Sequence, residues 1–156
     1  MILRRRPFRP LGDGYRLTLD AHEREAVRTV CAELRELVAG EDAAAARLFP
    51  PAYRDDPEAS AEYDELVRES LVSERLRAAD TVAATIDAER LDEAQAAAWC
   101  GVLNDARLLL GERLGVTDDF HEQRIHPRDP RRAQLALYGW LTWLQNELVE
   151  ALASRL

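Results

Sequence analysis

The residues best suited to chemistry cluster near position 120. Asp118, Asp119, His121, Glu122 and His126 are of types that ligate metals or exchange protons. Their spacing matches no helical zinc-protease pair, calcium loop or finger, so the plainer reading is a solvated acidic loop. A metal-dependent hydrolase working from the 118–126 loop is the enzymatic alternative. No nucleophile elbow and no phosphate-cradling glycine loop occurs. No catalytic residue, metal ligand or cofactor is assigned, and an enzyme is not expected.

Thiol chemistry has two candidates, Cys31 and Cys100. A redox sensor needs an accessible thiol of lowered pKa and a resolving partner. Cys31 falls within an apolar helical stripe and reads as buried, while Cys100 sits at the edge of one. Sequence alone does not say whether the two approach each other. Two well-separated cysteines suit a cytoplasmic chain better than a disulfide scaffold.

Three further groups suit recognition. Arg4, Arg5, Arg6 and Arg9 form a basic cluster around Phe8, able to grip phosphates or an acidic partner surface. On a strand they alternate between faces, so they need not make one patch, and a solvated edge strand is the plainer reading. Trp140 and Trp143 are core residues or a partner-binding surface, and a homodimer seam would satisfy both. Asn104, Asp105 and Arg107 are polar residues in an otherwise apolar helix. If buried they need hydrogen-bond partners, as a structural knot or as a recognition cluster.

The elements that position these residues follow from pattern. Residues 2–9 and 14–19 read as two strands joined through Leu11-Gly12-Asp13-Gly14, with Tyr15, Leu17 and Leu19 alternating with Arg16 and Thr18. Pro7 and Pro10 suit an edge strand. Asp20 and Glu23 cap a helix that runs to about Ala39, where Gly40 stops it. A connection over 41–56 carries one helical turn at 43–48 and two anchoring aromatics, Phe49 and Tyr53. Asp56 and Pro57 open the next helix. Its apolar face shifts after Leu71, which predicts a break at Ser70–Ser73 or a straight helix with different neighbours at each end.

Asp92 and Gln95 cap a helix ending at Gly115, with Trp99, Val102, Leu103, Ala106, Leu109 and Leu110 on one stripe. Ala97, Gly101 and Leu108 on its other side permit close approach of a second backbone, and Gly111 weakens its end. Asp129 and Pro130 start the last helix. Leu137, Tyr138, Leu141, Leu144, Leu148 and Leu152 share one of its faces, with Trp143 roughly opposite. A helix so apolar should be wrapped by others, and the Trp143 side is a candidate seat for the hairpin.

The chain has 156 residues, enough for one domain with a real core. All of its 21 Lys and Arg residues are arginine, and its formal net charge is −8. That sign disfavours direct nucleic-acid binding. No apolar run approaches the roughly 20 residues of a membrane span, and the start is no signal peptide.

Three segments together resemble a known family: Leu48-Phe49-Pro50 through Asp56-Pro57-Glu58; Leu91-Asp92-Glu93-Ala94-Gln95-Ala96 through Leu103-Asn104-Asp105-Ala106-Arg107-Leu108 and Leu114-Gly115; and Trp140-Leu141-Thr142-Trp143-Leu144-Gln145. They are similar to an actinobacterial domain-of-unknown-function family that includes the oxidative-stress regulator AosR. The resemblance implies a cytoplasmic, non-enzymatic regulator of transcription acting through a protein partner, such as a sigma factor or a proteolysis component. The redox role in that family depends on a closely spaced cysteine pair, which Cys31 and Cys100 do not provide. The expected fold is mainly α: a compact single-domain bundle of about five helices with a short N-terminal β-hairpin. A structural homodimerising protein is the remaining alternative.

Overall fold

The computed structural model describes residues 5–40, 56–118, 120 and 124–156, apart from the side chains at 57, 60 and 64–66. The expected connection over 41–55, with Phe49 and Tyr53, lies outside the described residues. The order is β1 (Phe8–Leu11), β2 (Gly14–Leu17), α1 (Ala21–Ala39), α2 (Pro57–Thr85), β3 (Arg90–Leu91), α3 (Glu93–Leu114) and α4 (Arg132–Ala153). The protein is thus mainly helical, with a small antiparallel sheet at its N-terminal end, as its patterning predicts.

The hairpin is shorter than expected. Phe8 pairs with Leu17 and Leu11 with Gly14. Gly12 takes a φ of 61°, while Asp13 has no positive φ. A two-residue loop with glycine first is the combination that matches strand twist in the type II′ turn. A third strand, β3, was not foreseen. It pairs with the other side of β2, Tyr15 against Leu91 and Arg16 against Arg90. Two residues carry no readable period of their own, so only pairing to β2 makes them a strand.

Both capping boxes form. The Asp20 carboxylate accepts from Glu23 N at 2.9 Å, and that of Asp92 from Gln95 N at 2.7 Å, each returned by the Glu or Gln side chain. The α3 helix ends on Gly115 in the left-handed region, while Gly40 ends α1 in an extended conformation. The α4 helix begins later than expected. Asp129 accepts from Arg131 N at 2.8 Å and so closes a turn, and the first helical residue is Arg132.

The break expected at Ser70–Ser73 does not occur, and α2 runs on for 29 residues. Among its described side chains the buried ones, Ala79, Val82 and Thr85, lie toward its C-terminal end; α1 and α3 pack on this helix. The face shift is met by leaving Tyr63 exposed, at 43%, rather than by bending the helix. No proline or glycine interrupts 58–85, so the backbone has no local cause to kink.

The central helix is α3, not the tryptophan-bearing α4. The α1, α2 and α4 helices and the sheet all pack on α3. The α4 helix buries one stripe, Leu135, Leu141, Leu144, Leu148 and Ala151, and leaves Val149 exposed. Leu137, Tyr138, Leu152, Trp140 and Trp143 are half-buried. The α4 helix thus has protein on two flanks, α3 and β1, while its remaining side carries half-buried and exposed residues. Close approach also falls elsewhere than expected. A Cβ on Gly101 would meet nothing within 4 Å, whereas one on Gly111 would stand 3.0 Å from Tyr138 Cε2.

Trp99 is fully buried, as are Tyr15 and Phe8. The Trp99 Nε1 donates to Thr85 Oγ1 at 2.8 Å, and the Thr85 hydroxyl donates in turn to Thr81 O at 2.8 Å. The Phe8 ring stands edge-on to it, with centroids 6.0 Å apart. One side chain thus joins α3, α2 and the hairpin. Replacing Thr85 with Val leaves a buried indole N–H without an acceptor, a loss of about 1–3 kcal/mol. Denaturant unfolding checks this, with Thr85→Ser expected to hold most of the stability.

The two helical glycines respond oppositely to alanine. Gly101→Ala gains helix propensity, up to about 1 kcal/mol, at no steric cost. Gly111→Ala pushes on the Tyr138 ring, itself held edge-on by Phe120 at 5.2 Å, so a net loss is expected in the same measurement.

Candidate interaction surface

The expected cluster Arg4, Arg5, Arg6 and Arg9 is dispersed. Arg4 lies outside the described residues. Arg5 donates from Nη2 to both oxygens of the Glu23 carboxylate, and its Nη1 stands 3.6 Å from Asp20 Oδ2. These carboxylates raise its pKa above the usual guanidinium value, the Glu23 hydrogen bond foremost. Arg5 therefore braces the first turn of α1. Arg6 and Arg9 are exposed, and Phe8 points into the core.

A different basic group replaces it. Arg9 stands opposite Arg16 on β1 and β2, and Arg16 opposite Arg90 on β2 and β3. Residues directly opposite share a sheet face. The inner face carries Phe8, Tyr15, Leu17 and Leu91, all buried. The outer face therefore presents three arginines in one row, all exposed. The pair flanking a two-residue loop is hydrogen-bonded and the types then alternate, which makes Arg9–Arg16 a hydrogen-bonded pair, with Cα atoms about 5.5 Å apart. Leu17 N donates to Glu89 O at 2.9 Å, so Arg16–Arg90 is the closer type, about 4.5 Å. Arg90 bonds the Asp13 carboxylate. Arg9 and Arg16 take part in no ion pair among the described residues. Alternation in the second strand marked Arg16 as outward, but only the register reveals the row.

Other arginines serve the backbone. Arg24 donates to Leu19 O at 3.1 Å, to Ile86 O and to Ala88 O, closing the end of α2. Arg131 donates to Leu114 O at 2.8 Å, closing the end of α3. Arg155 donates to Gly12 O at 2.8 Å and to Gly14 O, and lies 4.6 Å from the centroid of the Tyr15 ring.

The polar triad on α3 is not one cluster. Asn104 accepts from Gln145 Nε2 on α4 at 3.2 Å. Asp105 is buried and pairs with Arg75 of α2, Oδ2 to Nη1 2.5 Å. Arg107 is half-buried, with its Nε unpartnered among the described residues. The first two are interhelical ties, in keeping with the structural reading.

Burial is the first cause of a raised pKa at both thiols. Cys31 donates to Ala79 O at 3.4 Å, and Cys100 is half-buried. Neither environment favours a thiolate. Of the 118–126 loop, Asp119, His121 and Glu122 lie outside the described residues. His126 Nδ1 accepts from Arg128 N at 3.0 Å. A cavity of about 330 Å³ opens there, lined in part by Arg124, His126, Asp129 and Arg131. Asp129 and Arg131 are engaged in closing the turn and the end of α3. Among the described residues no three His, Cys, Asp or Glu side chains gather as metal ligands, and no helix is long and apolar enough to cross a membrane.

Residues 5–152 match the family model described as Domain of unknown function (DUF2017), and the chain belongs to that family. No curated protein and no solved structure shows a significant match to it.

The buried Asp105 gives a signed pH dependence. Burial holds its carboxyl above the usual value of 3.8, and Arg75 pulls it only part of the way back. The folded state therefore keeps a proton that the unfolded chain releases, so this group's contribution to stability is present below 3.8 and lost as pH rises through the raised value. Relative to Asp105→Asn, the parent protein is expected to lose stability across that window, read from denaturation midpoints at stepped pH.

Proposed function

We propose that the chain is a cytoplasmic, non-enzymatic regulatory module that works by binding another protein. The observation that carries this reading is the outward row Arg9, Arg16 and Arg90, a concentrated positive face on a chain of net charge −8. The half-buried Trp140 and Trp143 on α4 add aromatic surface of the kind that anchors interfaces. The resemblance to the actinobacterial family that includes AosR supports a partner in transcription, such as a sigma factor, or in proteolysis. Regulation through thiol oxidation is not carried over, since both thiols are disfavoured as thiolates and stand alone in their helices.

Affinity purification from native lysate tests the reading. A sigma factor or a proteolysis component is expected among the recovered proteins, and recovery of neither counts against it. The double variant Cys31→Ser/Cys100→Ser is expected to recover the same partner, with and without peroxide. A partner lost on peroxide treatment by the parent but retained by the double variant would restore a redox role.

A further inference from the structure

We propose that the outer sheet face of Arg9, Arg16 and Arg90 binds a short acidic segment of a partner protein, its carboxylates lying across the three strands. This deepens the reading of the chain as an interaction module and rests on it. Like charges directly opposite on a sheet repel, and here two such pairs adjoin. Asp13 answers Arg90 alone, although the chain holds 29 Asp and Glu residues. A row left uncompensated in so acidic a chain is a binding-ready arrangement: two or three incoming carboxylates would relieve the repulsion and meet forked donors suited to them.

Size selects the occupant. Two strand spacings make the row about 10 Å across. Duplex nucleic acid carries one charge per about 1.7 Å of axis, so a polyanion would run past the row onto acidic surroundings. Asp13 lies in the hairpin turn and Glu89 directly precedes β3. A few carboxylates fit the row without overrunning it. The occupant lies on the face rather than joining the sheet at its edge. Pro10 is in a non-hydrogen-bonded pair, so its nitrogen, lacking a proton, faces the open side of β1 and removes a donor there.

The test uses the full chain and fluorescein-labelled octaglutamate, with octaglutamine and a single-stranded oligonucleotide of about twenty nucleotides as comparators, followed by anisotropy. Octaglutamate is expected to bind saturably, to bind more weakly in about 0.3 M salt, and to lose affinity about tenfold in Arg9→Ala/Arg16→Ala. Arg77→Ala, an exposed α2 arginine, is expected to leave binding unchanged. The double variant should unfold at or above the parent midpoint, because it removes opposed charges. Arg16→Gln serves as a second, milder variant with the same direction of effect. No binding of octaglutamate, equal binding by the double variant, or tighter binding of the oligonucleotide would overturn the proposal. In affinity purification, equal partner recovery by parent and double variant would overturn it while leaving the interaction module standing. Failure of the parent to recover any partner would strike the module reading, and the peptide titration would still decide the chemistry of the face.

Discussion

The indole of Trp99 is the constraint on which the rest of the structure depends. Its ring is wholly enclosed and its one polar atom is answered by Thr85. A buried donor must find an acceptor or forfeit the cost of leaving water. That requirement fixes the end of α2 relative to α3. The edge of Phe8 then sets where the hairpin rests, since a two-stranded ribbon is marginal without something to lie on. The sheet and the bundle therefore share one core rather than forming two.

The arginines divide by what meets them. Arg24 and Arg131 sit where a helix end leaves carbonyls without intrahelical donors, and Arg155 crosses from the end of α4 to the hairpin turn. A planar fork can serve two carbonyls at once, which a lysine ammonium does less well. These residues give part of the positive charge of the chain a structural use. Arg9 and Arg16 are different, because among the described residues no such acceptor meets them, and this contrast separates a binding face from scaffolding.

What could be read from the sequence was local. The Asp20–Glu23 and Asp92–Gln95 boxes, the glycine turn and the glycine after α3 depend on neighbours within a few residues, and each formed. What could not be read depended on partners distant in the chain. Ser70–Ser73 looked like a break because an apolar face shifted, yet leaving Tyr63 in solvent cost less than breaking a helix. The strand Arg90–Leu91 exists only through β2. Trp140 and Trp143 drew attention as a pair, but the single Trp99 took the centre because α1, α2, α4 and the sheet all pack on α3. The same limit hid the candidate face. Clustering in sequence pointed to Arg4, Arg5, Arg6 and Arg9, whereas strand register keeps only Arg9 of these in the row and sets it with Arg16 and Arg90.

A surface built without lysine also restricts how a cell could switch it. Acetyl transfer needs an ε-amine, and the chain has none among its 156 residues. Methylation of a guanidinium would keep the positive charge and spoil only its two-pronged hydrogen bonding. Methylation of the sheet face would therefore alter the geometry of its grip and leave its charge in place.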